Sequence, residues 1–144
     1  MHLRVTRADL DDGAQAEAVV ELIDCYARDL MGGGEPLPAA VRAALIPGLR
    51  GFAGTLVFLA WDGSHPVGVA VCFRGFSTFA ARPLVNIHDL SVRPEWRGRG
   101  VGRALAPALD GPSSPPPLVL PRSFCHPLSG ALGRRRARRV RRGR

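Results

Sequence analysis

The chain has 144 residues, 46% of them hydrophobic and 22% charged, which fills one core and predicts a single folded domain. No apolar run approaches the roughly 18 residues of a membrane-spanning helix. Met1-His2-Leu3-Arg4 leads straight into alternating polar sequence, so neither a signal peptide nor a membrane role is expected. The formal net charge of +8 is unevenly spread. Residues 134–144 hold eight of the twenty arginines and no acid, while residues 1–133 hold the other twelve and all twelve acids. The body is near neutral, and the basicity belongs to the tail. Cys25, Cys72 and Cys125 are odd in number, widely spaced, and fit no zinc or disulfide pattern. A reducing cytoplasm is the expected location.

Leu3 to Arg7 alternates and predicts a first strand. Asp9, Asp11 or Asp12 is placed to cap a helix starting just after them. Ala16 to Leu30 carries Val19, Val20, Ile23, Tyr26, Ala27 and Leu30 at helical spacing, with an acidic opposite face of Glu17, Glu21 and Asp24. Gly32-Gly33-Gly34 stops that helix. Pro38 to Leu49 reads as a second, shorter helix opening with proline. Thr55 to Trp61 and Val67 to Phe73 are β-prone runs joined through Asp62-Gly63, which predicts an antiparallel hairpin. Phe73, Phe76 and Phe79 come next, with Trp61 close in sequence. Aromatics this dense either line a pocket or pack in the core.

Val85, Ile87, Leu90 and Val92 form an apolar run typical of a well-buried strand. Pro94 ends it. Gly98, Gly100 and Gly102 then alternate with other residues just before the helix-forming run Arg103-Ala104-Leu105-Ala106. Glycine allows close backbone approach to a ligand, and the first amides of a helix lack internal partners. With the helix dipole they make an anion site, most naturally for a phosphate. Arg97, Arg99 and Arg103 add charge there. Pro107 removes an amide from the expected helix and predicts a kink or end near that residue. The Rossmann fingerprint is excluded by the G-x-G-x-G spacing, and a Walker loop by the absence of lysine.

What remains is R-x-x-G-x-G, carried by Arg97, Gly100 and Gly102, with Val92-Arg93-Pro94 just upstream. This stretch resembles the pyrophosphate-binding signature of the GNAT superfamily of N-acetyltransferases, and the resemblance covers roughly residues 1–110. It implies an α/β fold with a mixed, mostly antiparallel sheet flanked by helices. It implies acetyl-CoA as co-substrate, a small-molecule primary amine as acceptor, and often a homodimer. The pyrophosphate would lie on Arg97, Gly98, Arg99, Gly100, Val101, Gly102 and Arg103. The pantetheine arm would pair with the backbone of Leu90, Ser91 and Val92. The first two helices would form one wall of the acceptor site. Glu35, between them, is then an acceptor contact or a solvated loop acid. Polyamine-type members carry Glu-Asp where this chain has His88-Asp89, and there the glutamate is the base. His88 takes that position and Asp89 matches the aspartate, so these two are the expected catalytic residues. Imidazole is a side-chain type suited to base work near neutral pH. A histidine does not attract a polycation as a glutamate does, so polyamine specificity does not carry over. The alternative for His88 is a hydrogen-bonded core histidine.

Beyond Asp110 the composition changes. Gly111 to Pro117 has linker composition, and residues 111–144 are expected to be an irregular Pro/Arg-rich tail. Leu118-Val119-Leu120 is the only later run able to form a fifth strand. The family has here a fifth strand, a helix with Asn and Tyr, and a Gly-Phe. In the family that tyrosine often protonates the departing thiolate. None of this pattern is present here, and Tyr26 is the only tyrosine in the chain, so the departure bears on turnover and the sheet is expected to be incomplete at its C-terminal end. A protein that binds acetyl-CoA or polyanions without turnover is the alternative function. Two readings of the tail compete. It is a basic arm for nucleic acid, or it is the end of a GC-rich gene read in a shifted frame. Out-of-frame GC-rich codons yield mostly Arg, Pro, Gly, Ala and Ser, which favours the frameshift. No aromatic interleaves the arginines, which weighs against single-strand binding.

Overall fold

Four apolar runs pair in chain order. The computed structural model describes residues 2–106. In it β1 (Leu3–Arg7), β2 (Thr55–Asp62), β3 (His65–Ser77) and β4 (Arg82–Val92) form one antiparallel sheet in the order β1-β2-β3-β4. Helices α1 (Gly13–Arg28) and α2 (Ala39–Gly51) lie between β1 and β2 in sequence, and the short α3 (Val101–Leu105) comes after β4. Residues 67–72 of β3 are all buried. The reason is that both faces of the sheet are covered. Leu56, Ala60, Ala70, Cys72 and Val85 pack with Val101 and Leu105 of α3. Val57, Leu59, Val69 and Val71 pack with Val19 and Leu22 of α1 and Leu49 of α2. The two-residue period of a strand sorts these side chains to opposite faces. Leu22 and Leu59 are fully buried, each worth roughly 1.5–3 kcal/mol in apolar burial.

Of the three aspartates able to cap α1, Asp12 does so, accepting the amides of Ala14 and Gln15 at 2.9 and 3.1 Å. The helix ends at Arg28, two residues short of the expected Leu30. Asp29 is already extended (φ −70°, ψ 151°), which leaves Leu30 and Met31 exposed. Asp24 departs from the expected solvated acidic face, for it is only 5% exposed. Its carboxylate accepts Arg28 Nε at 2.8 Å and the Leu37 amide at 2.7 Å, and pairs with Arg42 Nη1 at 2.9 Å. These donors offset its burial and pin the α1–α2 connection to α1.

β3 and β4 run further than their apolar cores predict, into a hairpin whose outer part carries Phe76. β4 is not the well-buried strand its apolar run predicts. Only Val85 and Ser91 are buried in it, because it is the edge strand of the described sheet. The expected kink at Pro107, the fifth strand at Leu118–Leu120, Cys125 and the arginine tail lie outside the described residues. Among the described residues, no helix is long and apolar enough to cross a membrane.

Candidate functional site

The β3–β4 register slips by one residue. Val71 lies opposite Asp89 and Cys72 opposite Ile87, so His88 has no partner. This is a β-bulge, and it reverses the alternation of side chains beyond it. Ile87 belongs with the α3 core before the bulge, and Val92 returns there after it. Ser91 instead turns toward α1 and donates its Oγ–H to the Leu22 carbonyl at 3.2 Å. The sequence carries this signal: apolar positions are odd at Val85 and Ile87, then even at Leu90 and Val92. A slip of phase inside one strand marks an inserted residue.

His88, at the bulge, is exposed, which removes the core-histidine alternative. Its ring meets Phe73 edge-on, 5.4 Å between centroids. Asp89 is half-buried beside it. Cys72, on the neighbouring strand, is pushed up to about 11 by burial and then by the charge of Asp89, so it stays a thiol.

The glycine-rich turn lies at the C-terminal end of β4. Gly98 and Gly100 have φ of +74° and +84°, a region that side chains rarely tolerate. A Cβ at either would meet nothing within 4 Å, so the space above the turn is open. Gly100 caps α3 and accepts the Ala104 amide at 2.9 Å. A cleft of about 500 Å³ opens between Val92, Trp96 and the turn, lined by Arg97, Gly98, Gly100, Val101, Gly102 and Arg103. Arg99 lies over the Trp96 ring, 5.2 Å from its centroid. Leu90 is 43% exposed, on the same side of the strand end as Gly102. Gly68 lets α3 approach the sheet, since a Cβ there would stand 2.9 Å from Val101 Cγ1. Thus Leu90 to Arg103 gather at one end of β4, and His88-Asp89 stand further up the same strand.

Arg97 is not free at the turn. Its Nε donates to the Val92 carbonyl at 3.1 Å, and its Nη2 donates to Asp29 Oδ2 at 2.6 Å. The guanidinium holds the Asp29 carboxyl below the ordinary carboxylate range. Among the described residues, positive charge beside the turn with no acidic partner comes from Arg99 and Arg103. No sequence signal links Asp29 to Arg97 across 68 positions.

A second cavity, also about 500 Å³, runs along α2. Ala40, Val41, Ala44, Leu45, Gly48 and Leu49 form its floor, with Phe52 and Phe73 at its side. The rings of Phe52 and Phe73 meet edge-on at 5.1 Å. Of the aromatics singled out in the sequence, only Phe73 lines this groove. Trp61 packs against the α1/α2 side of the core and donates Nε1–H to Thr6 Oγ1 at 2.9 Å, while Phe76 and Phe79 are exposed. Glu35 is an exposed residue of the α1–α2 connection. Among the described residues, no group of His, Cys, Asp and Glu could hold a metal ion.

The Acetyltransferase (GNAT) family matches residues 18–109, which is more than half of the chain. The protein belongs to this family of acetyltransferases. A search of curated proteins found no match. Among solved structures, the fold is similar to an aminoglycoside acetyltransferase, meta-AAC0020, from an uncultured soil metagenomic sample. That protein is 21% identical with a TM-score of 0.58, over 75% of this chain and 67% of that one. An integron cassette protein, HFX_CASS3, from the mobile metagenome of Cole Harbour Salt Marsh is 25% identical with a TM-score of 0.63, over 74% and 66%. The ribosomal-protein-alanine N-acetyltransferase of Brucella melitensis biovar Abortus 2308 is 16% identical with a TM-score of 0.59, over 76% and 70%.

Proposed function

We propose that this protein transfers an acetyl group from acetyl-CoA to the primary amine of a small molecule. The observation that carries the reading is the open turn from Gly98 to Gly102 at the end of β4, the edge strand among the described residues, with His88 exposed at its bulge. The residues present fit the co-substrate. The turn lacks side chains where a pyrophosphate would rest, the first amides of α3 have no helical partners, and Arg99 and Arg103 supply charge. The outward backbone of Leu90, Ser91 and Val92 is suited to an extended pantetheine arm. When bound, acetyl-CoA supplies an activated acyl group.

The chain's own residues would do the rest. His88 takes the proton that the attacking amine must lose, and Asp89 stands beside it. Amides of β4 that no described strand pairs would donate to the charge developing on the acyl oxygen. The acceptor's body would lie in the groove between α2 and Phe73, which shares the Phe73 ring with His88. No described residue lining that groove is charged. An amine with an apolar body suits it better than a polycation.

Residues 1–110 are then the acetyltransferase domain and 111–144 a tail, in a cytoplasmic protein whose homodimer the family resemblance implies. A second reading, binding of acetyl-CoA or polyanions without turnover, rests on Tyr26 being the only tyrosine and on the arginines after residue 133. Nucleic acid enters as a partner only with that arginine arm. Thiol release from acetyl-CoA, measured across a panel of alkyl, aryl and polycationic amines, separates the two. Amine-dependent release is expected, with apolar amines preferred. CoA binding without release on any amine would leave the second reading.

A further inference from the structure

Asp29 joins three parts of the molecule. It comes directly after α1. Its Oδ1 accepts the Met31 amide at 3.2 Å, and its carbonyl accepts the amides of Gly32 and Gly34 at 2.9 and 3.0 Å. These bonds shape the start of the α1–α2 connection. Its Oδ2 takes Arg97 Nη2 at 2.6 Å, while Arg97 Nε holds the Val92 carbonyl. One carboxylate thus ties the end of α1 and its connection to the last residue of β4 and the first residue of the glycine-rich turn. The pair is partly shielded, with the Asp29 side chain 19% exposed and that of Arg97 48% exposed.

The placement has a cost that its partners offset. An acid at a helix C-terminus faces the negative end of the helix dipole. Arg97 and the connection amides compensate for it. The turn in its own right has little to fix it. Gly98 and Gly100 adopt left-handed backbone and carry no side chains, so its position depends on its flanks. Val101 anchors the far flank in the α3 core, and Arg97 is the near flank. Two of its guanidinium N–H groups are committed to protein oxygens, and these bonds fix the near flank of the turn.

We propose that Asp29 is a positioning residue for the anion-binding turn, acting through Arg97 and linking the order of residues 30–34 to cofactor binding. The proposal rests on the acetyl-CoA reading given above. Linkage makes the effect reciprocal, so a ligand on the turn also steadies the connection.

The test uses the full chain and CoA as the probe. Asp29→Asn keeps an acceptor for the Met31 amide and removes the charge that holds Arg97. Arg97→Gln breaks the same pair from the other side, should Asp29→Asn fold poorly. Calorimetry should show CoA dissociation constants raised on the order of fivefold in each, the size of a half-exposed ion pair. The double variant should lose no more than either single one. In steady state, Asp29→Asn should raise the KM for acetyl-CoA while kcat at saturation stays near wild type. In the free protein, tryptic cleavage after Arg99 should be faster in Asp29→Asn, which reports the turn without any ligand. Unchanged CoA affinity would overturn the proposal. So would tighter binding in Asp29→Asn, which would show Asp29 competing with the phosphates for Arg97. Full additivity of the two changes would overturn it as well. If wild type itself fails to bind CoA, the acetyl-CoA reading falls, and the cleavage rates still decide whether Asp29 positions the turn.

Discussion

The ring of His88 lies edge-on against the ring of Phe73, 5.4 Å between centroids. Phe73 lies 5.1 Å from Phe52 in turn, so three rings lead from the bulge in β4 to the apolar groove on α2. Without the inserted residue at the bulge, the alternation of β4 would continue unbroken from Ile87 to Val92. The bulge residue is therefore the one whose ring meets Phe73 at the side of the groove.

His88→Ala tests that placement. Removal of a general base usually lowers turnover by about 10²-fold or more. Steady-state rates on the best amine should fall by that much, with CoA affinity nearly unchanged. A near-wild-type rate would leave Asp89 or a water relay as the base.

Phe52→Asp tests the groove. Phe52 is 60% exposed, so the fold should tolerate the change. An aspartate there adds a solvated charge to a site with none. The KM for alkyl and aryl amines should rise about tenfold, roughly 1.4 kcal/mol of apolar contact, while the KM for acetyl-CoA holds. An unchanged amine KM would place the acceptor elsewhere.

Asp24 predicts an acid limb of stability. Hydrogen bonds from Arg28 and then from the Leu37 amide hold its carboxyl below the ordinary carboxylate range. The unfolded chain therefore binds the proton more readily than the folded one. The resulting stabilisation is full above the unfolded value, near pH 4, and is lost as pH falls through the folded value. Asp12 and Asp29 are lowered too and act with the same sign. Thermal midpoints of wild type should drop steeply below about pH 4, and those of Asp24→Asn should start lower and drop less. Parallel curves for the two proteins would contradict this.

Much of the fold is legible from the residues. Alternation in Leu3–Arg7, the apolar stripe of Val19 and Ile23, and the hairpin around Asp62-Gly63 all correspond to elements of the structure. The glycine-rich turn is legible because Gly98, Gly100 and Gly102 are themselves the feature. What is lost depends on long-range geometry. Asp24 reads as a surface acid until Arg42 and Leu37 are folded against it. The Asp29–Arg97 pair and the Phe52–Phe73 contact join segments with no shared local pattern. The bulge lies between these cases, since the shift from odd to even apolar positions in β4 records it.

The most direct test is a calorimetric titration of CoA into wild type and Gly100→Val. Gly100 has a φ of +84° and open space above it, so valine both strains the turn and fills the space where a pyrophosphate is proposed to rest. Wild type should bind CoA, and Gly100→Val should lose binding while keeping its circular dichroism spectrum. Unchanged CoA affinity in Gly100→Val would contradict the assignment of the turn as the cofactor site.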